Sequence, residues 1–153
     1  MSSQRLTELT GATLVIFQFG LLAVLAWQIL TNATGPFPIY SVALLLGGAF
    51  LGLWAISVNR PGNFNIRPMP RPGGKLIEHG PYRVIRHPMY LSLMLAGLGA
   101  ALGSMQAVAW ISWAALVLVL TAKASLEESA LLRQLPEYKE YCARSWRLFP
   151  GLF

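Results

Sequence analysis

Aspartate is absent from this chain, histidine occurs twice and cysteine once, and only 12% of its 153 residues are charged, against about a quarter in ordinary soluble domains. Each shortage excludes something. A lone Cys142 leaves no intramolecular disulfide and has no partner at metal-binding spacing. Without aspartate or a second histidine at ligand spacing there is no Ser/His/Asp set and no metal cluster, and no phosphate-cradling loop is present. Metal hydrolases, serine enzymes and nucleoside-triphosphate users are therefore set aside. A single histidine beside proline likewise offers haem no axial pair. What is abundant is apolar: 55% of the residues are hydrophobic and the mean hydropathy is +0.52. The chain reads as an all-α integral membrane protein. Its net charge of +6 is explained by basic residues flanking lipid-spanning segments, since no basic helix or RNA-binding motif accompanies it; no nucleic-acid partner is expected.

Four spans are expected, over residues 9–30, 39–58, 87–102 and 106–124. The first apolar run holds 22 residues without a charge, enough to cross the ~30 Å hydrocarbon core at ~1.5 Å per residue. Arg5 before it and Val24-Leu25-Ala26 within it resemble a secretory signal, but the apolar core of such a signal runs only ~7–15 residues, so this segment is read as a mature helix. Gln18 and Gln28 are expected to bond neighbouring helices. Thr31 to Pro38 is a short uncharged turn, and residues 1–58 form an N-terminal helical hairpin. Gly48-x-x-x-Gly52 in the second span, and Gly97, Gly99 and Gly103 in the third, would let other backbones approach closely.

Asn59 to Arg86 is a proline-broken loop carrying Arg60, Arg67, Arg71, Lys75, Arg83 and Arg86 against one acid, Glu78, whereas the turns at 31–38 and 103–105 have no basic residue. The positive-inside bias puts this loop and both termini in the cytoplasm. Brevity and the absence of targeting signals favour a prokaryotic inner membrane. The third and fourth spans form a tight hairpin that enters the membrane at His87 and returns near Glu127. Beyond Lys123 the fourth helix becomes amphipathic and emerges into the cytosol. Pro136 interrupts it, and a second short helix follows from Glu137, leading to the aromatic and basic tail Arg144 to Pro150. That tail either rests on headgroups or forms a lid over a pocket made by His87, Tyr90 and Glu127-Glu128.

Residues 80–90, Gly-Pro-Tyr-Arg-Val-Ile-Arg-His-Pro-Met-Tyr, place a cation, an imidazole and a tyrosine where water meets lipid. Such groups are costly there unless paired or bound to something. Either Glu127 or Glu128 could take hydroxyls or an amine, Arg86 or Arg147 a carboxylate, and Tyr82, Tyr90 or Trp146 a cation on an aromatic face. The site at the interface points to a lipophilic small-molecule or lipidated partner sliding in from the membrane lipids.

Gly80-x-Tyr82-x-x-x-Arg86-His87-Pro88-x-Tyr90, then Glu127-Glu128-x-x-Leu131, then Tyr138-x-x-Tyr141 and a basic, proline-ended tail are similar to the isoprenylcysteine carboxyl methyltransferase family. The match covers roughly Lys75 to Pro150, the expected cofactor-binding core (75–150) of a single membrane domain (1–153). The resemblance implies an integral-membrane methyltransferase using S-adenosylmethionine, held at the cytoplasmic face beneath the C-terminal segment. It implies cofactor contacts from Tyr82, Arg86, His87, Pro88, Tyr90, Glu127, Glu128, Tyr138 and Tyr141, and catalytic roles for Glu128, Arg144 and Arg147. The chain departs from the family pattern in Leu135-Pro136, where Phe-Gly is usual, and in Ser145-Trp146, where Val-Pro is usual. Nothing in the match identifies the accepting atom, whether carboxylate, thiol or amine. The alternatives are a sterol-reductase-like membrane oxidoreductase using NADPH, and a non-enzymatic membrane scaffold in which the same charges are structural ion pairs.

Overall fold

A computed structural model of the chain describes residues 3–32, 36–59 and 76–151, with side chains from residue 9 onward. The basic loop residues Arg60, Arg67, Arg71 and Lys75 lie outside the described residues. Five α-helices follow in order: α1 (Ser3–Asn32), α2 (Ile39–Val58), α3 (Pro88–Ser104), α4 (Ala107–Gln134) and α5 (Tyr138–Arg144), with a 3-10 turn at Gly80–Arg83 before α3. No strand occurs among the described residues. Helices α1, α2 and α4 are long and apolar enough to cross a membrane, and α3 is a shorter apolar helix. The expected four-span architecture holds, with one feature, the 3-10 turn, for which the sequence reading has no counterpart.

Local chemistry explains the boundaries. Pro88 occupies the first position of α3, where its missing N–H costs nothing, and the carbonyl of His87 accepts the first turn's N–H groups from Tyr90 and Leu91. Helix α3 ends at Met105, which adopts a left-handed conformation (φ 55°) and donates its N–H to Ala101 O. Helix α4 stops at Leu135 because a residue before proline is pushed out of helical geometry, and Pro136 then begins a turn into α5. Helix α4 continues about ten residues past its expected membrane segment, carrying Glu127 and Glu128 on the same uninterrupted rod.

The helices pair in an order the sequence does not suggest. Helix α2 packs along α3 and α1 along α4, with α1 also touching α3, so the two N-terminal helices flank α3 rather than pack on each other. Glycine makes the α2–α3 contact: a Cβ on Gly48 would lie 2.7 Å from Ser92 O, and one on Gly99 would lie 2.9 Å from Ser41 O. Ser41 Oγ donates to Gly99 O at 2.6 Å, and Trp113 Nε1 to Met94 O at 3.0 Å. Among apolar solvent chains, van der Waals fit and such bonds hold helices together in place of the hydrophobic effect. Outward side chains confirm the setting: Leu30 is 81% exposed, Ile39 80% and Leu118 71%. Leu25 faces Gly97 of α3, and Gln18 meets Lys123 of α4. The bundle therefore runs up, down, up, down, and the start of α1, the segment before α3 and the C-terminal end of α4 share one face.

Candidate active site

The segment before α3 is fixed by its own sequence and by the tail. Gly80 has φ +60°, and a Cβ there would meet Val58 Cγ2 at 2.7 Å, so glycine is required on both counts. The 3-10 turn buries Pro81 and Tyr82. Residues 84–87 then run alongside the tail: Trp146 N donates to Val84 O (2.9 Å), Arg86 N to Trp146 O (2.8 Å) and His87 N to Arg147 O (3.1 Å). The Trp146 bond needs a backbone N–H at this position; a proline at 146 would have none to give. Leu148 is buried in the core. The tail is thus stitched to the motif by these backbone bonds.

Glu128 is the centre of this arrangement. Its Oε1 accepts from Arg86 Nε at 2.7 Å and lies 3.2 Å from His87 Nε2. Its Oε2 accepts from Arg147 Nε at 2.8 Å and NH2 at 2.6 Å. Arg86 NH1 also donates to Cys142 O at 3.2 Å and to Ser145 O. One buried carboxylate therefore ties together the segment before α3, α4 and the tail, with its lone pairs committed to protein donors. Tyr138 and Tyr141 are buried behind it, and Tyr141 OH donates to Tyr82 O at 2.6 Å. Burial pushes the hydroxyls of Tyr82, Tyr138 and Tyr141, and the Cys142 thiol, above their ordinary values, so all four stay protonated near neutrality.

Glu127 looks the other way. Its Oε2 accepts from Tyr90 OH at 3.0 Å and lies 3.7 Å from His87 Nδ1, while its Oε1 makes no hydrogen bond among the described residues. The His87 and Tyr90 rings stack in parallel, with centroids 5.3 Å apart. These groups open onto a cavity of about 720 Å³, within the ~300–1,000 Å³ usual for small-molecule sites. The polar end of the cavity is formed by Tyr82, Arg86, His87, Tyr90 and Glu127. Its other end is apolar, with α3 as floor and Phe19 and Leu22 of α1 facing Leu45, Leu53 and Ile56 of α2. Phe19 is 54% and Leu53 69% exposed, so the groove between α1 and α2 is open towards lipid. Helices α1 and α2 supply the two walls of a cleft.

Of the residues singled out in the sequence, Tyr82, Arg86, His87, Pro88, Tyr90 and Glu127 line this cavity. Glu128, Arg147, Tyr138 and Tyr141 are brought together just behind it, as its support. Arg144 is not brought to the cluster: 59% exposed, it pairs with Glu78 at 2.6 Å on the surface. Among the cavity residues without a role in the motif are two polar ones, Lys123 and Asn59. Lys123 is buried inside α4 and bonds Gln18 of α1. The signal was available, since Lys123 precedes Glu127 by four residues and so shares its face of the helix. Asn59, which donates to Tyr82 OH at 3.4 Å, had no signal beyond its polarity. Among the described residues no group of three or more His, Cys, Asp or Glu side chains is placed to hold a metal ion.

Comparison with known proteins gives two bacterial relatives, each matched over 84 residues. The cobalt-zinc-cadmium resistance protein CzcN of Cupriavidus metallidurans is 34% identical across 54% of this chain and 38% of its own length. The nickel-cobalt-cadmium resistance protein NccN of Alcaligenes xylosoxydans xylosoxydans is 33% identical across 54% of this chain and 39% of its own length. The matched stretch thus spans about two fifths of these relatives. A family model reaches further, from the second helix through α4 to the turn before α5: over residues 37–137, which carry most of the cavity wall and the motif from Gly80 to Glu128, the chain matches the phospholipid methyltransferases, and it belongs to the phospholipid methyltransferase family of membrane proteins.

Proposed function

We propose that this protein transfers a methyl group from S-adenosylmethionine to a lipophilic acceptor that enters from the bilayer. The observation that carries the reading is the cavity itself, whose polar end at Arg86, His87, Tyr90 and Glu127 continues into the apolar groove between α1 and α2. The residues present fit the cofactor. Glu127 Oε1, on the cavity wall without a protein donor, suits an ammonium or ribose hydroxyls, and the Tyr82 ring suits a sulfonium. His87 and Pro88 shape the same wall. When bound, S-adenosylmethionine would supply an electrophilic methyl group, open to in-line attack by the acceptor's nucleophile with the demethylated thioether as leaving group, a chemistry that needs no metal. The protein's share is positioning and exclusion of water. Tyr90 holds the Glu127 carboxylate in place, and the Glu128 clamp with Arg86 and Arg147 fixes the wall from behind. Arg144 and Arg147 act, on this reading, through the tail and not at the reacting atoms.

The face bearing the site is proposed to be cytoplasmic, and the membrane a prokaryotic inner membrane, since the segment 59–86 that leads into the site is rich in basic residues. Calorimetric titration of the solubilised protein with S-adenosylmethionine and its demethylated product tests the reading. Micromolar binding is expected, weakened about tenfold, or ~1.4 kcal/mol, by Glu127→Gln. A folded wild type that binds neither compound but binds NADPH would overturn the reading in favour of a reductase.

A further inference from the structure

Two opposite charges meet the cavity from one side of α4. Glu127 stands at its polar end, and Lys123 precedes it by about one helical turn, ~6 Å of rise, on the wall of the same cavity. The two act on each other electrostatically, yet among the described residues they form no ion pair. Tyr90 serves both: its hydroxyl donates to Glu127 Oε2 at 3.0 Å, and its ring centroid lies 5.1 Å from Lys123 Nζ. Lys123 Nζ donates instead to Gln18 Oε1 of α1. An ammonium has three N–H donors and a carboxylate about four acceptor sites, so each charge keeps unused bonding capacity.

A strut between α1 and α4 would need only a neutral pair. Lys123 is 1% exposed, on the segment of α4 apolar enough to span a membrane, where an ionisable side chain ordinarily marks a ligand site or an ion path. A cation and an anion held about one turn apart, and not spent on each other, are complementary to a ligand that carries both charges. The head of an α-amino acid is such a group, with ammonium and carboxylate on one carbon, and S-adenosylmethionine ends in one. The arginines that might take its carboxylate are engaged elsewhere. Arg86 gives Nε to Glu128 and NH1 to the carbonyls of Cys142 and Ser145, and Arg147 holds Glu128 from behind the wall. Lys123 is the ammonium on the wall itself.

We infer that Lys123 and Glu127 form one subsite for the amino-acid head of S-adenosylmethionine, Lys123 taking the carboxylate and Glu127 the ammonium, with Gln18 and the Tyr90 ring holding the lysine in place. The inference rests on the methyltransferase reading and deepens it, by assigning the cofactor's carboxylate to a residue outside the motif.

The test is calorimetric titration of the full solubilised chain with three ligands that share the nucleoside and a thioether. They are S-adenosylhomocysteine, its decarboxylated form, which lacks only the carboxylate, and methylthioadenosine, which lacks the whole amino-acid head. Wild type is expected to hold S-adenosylhomocysteine about tenfold tighter than the decarboxylated form, as for a hydrogen bond between charged groups. Lys123→Gln is expected to close that gap by weakening S-adenosylhomocysteine, while holding the decarboxylated form within about threefold of wild type, and Lys123→Arg to keep it. Glu127→Gln is expected to weaken both amines and spare methylthioadenosine. Equal binding of S-adenosylhomocysteine and its decarboxylated form by wild type overturns the inference while leaving the methyltransferase reading intact. So does a gap that survives Lys123→Gln, including one that survives because both ligands weaken equally, the mark of a merely structural lysine. Should Lys123→Gln fail to fold, Lys123→Met, which keeps the stem without the charge, is judged by the same comparison. A folded wild type that binds none of the three overturns the reading beneath, and the inference with it.

Discussion

Removing the Glu128 carboxylate is the sharpest perturbation the structure suggests. In Glu128→Ala, Arg86 keeps its bonds to the Cys142 and Ser145 carbonyls and the Ser145 hydroxyl, and Arg147 loses both of its short contacts. Leaving a buried cation without its partner costs about 3–5 kcal/mol. Arg86 is 11% exposed and Arg147 26%, so Arg147 can turn partly to water and the lower end, about 3 kcal/mol, is the better figure. At ~2–4 °C per kcal/mol for a chain of this size, the melting temperature in detergent should fall by about 6–12 °C. Glu128→Gln keeps the shape and one acceptor oxygen and should cost roughly half as much. Because the carboxylate joins three segments, the tail should loosen first: trypsin should cut at Arg144 and Arg147 in the variant under conditions that spare wild type. A double-mutant cycle isolates the contact, since Arg147→Met should cost clearly less on a Glu128→Gln background than on wild type. A directly catalytic Glu128 makes the opposite forecast, with turnover lost and melting unchanged. If Glu128→Ala melts within about 2 °C of wild type with a protease-resistant tail, the clamp described above is wrong.

Tyr90→Phe removes the one hydroxyl that positions Glu127 and should weaken S-adenosylmethionine binding about fivefold, near the ~1 kcal/mol of a single hydrogen bond, with melting little changed; calorimetry beside a thermal melt separates the two. Gly80→Ala forces a left-handed residue into a site already closed by Val58 and should cost at least ~1–2 kcal/mol, read as a lower melting temperature. Gly48→Val would drive side-chain carbon into the Ser92 carbonyl, 2.7 Å from where its Cβ must sit, and should cost ~1–3 kcal/mol by overpacking while widening the groove. Tyr138 and Tyr141 are raised from the ordinary 10.0 by burial. A raised value in the fold means the neutral hydroxyl is favoured there, so its contribution to stability is complete below pH ~10 and lost as pH climbs further. Alkaline titration of phenolate absorbance should therefore show Tyr138 and Tyr141 among the tyrosines that ionise only as the protein unfolds.

Much of this architecture is legible in the sequence because lipid imposes strong rules on composition. A 22-residue uncharged run can do little else than span, and Pro88 and Pro136 set helix boundaries by their own covalent geometry. The site motif is legible for a related reason: polar groups at an apolar boundary need partners, and Arg86, His87, Tyr90, Glu127 and Glu128 find one another once α3 and α4 turn back. What was not legible is division of labour within the cluster. Glu127 and Glu128 are adjacent in sequence, but neighbours on a helix point about 100° apart, and that rotation sends one carboxylate into the cavity and the other into the clamp. Nor does periodicity reveal partners between distant helices. Gln18 and Lys123 stand 105 residues apart, and each alone looks like an ordinary polar residue in a span. The order of packing settles their meeting. Because α2 rides on the glycine face of α3, it cannot also pack on α1, and α1 instead lies against α4, which brings Gln18 to Lys123 and leaves the cleft between α1 and α2 unfilled. The same glycines that let two helices close together thus hold open the groove beside them, so the packing of α2 on α3 and the route by which an acceptor would enter are consequences of one arrangement.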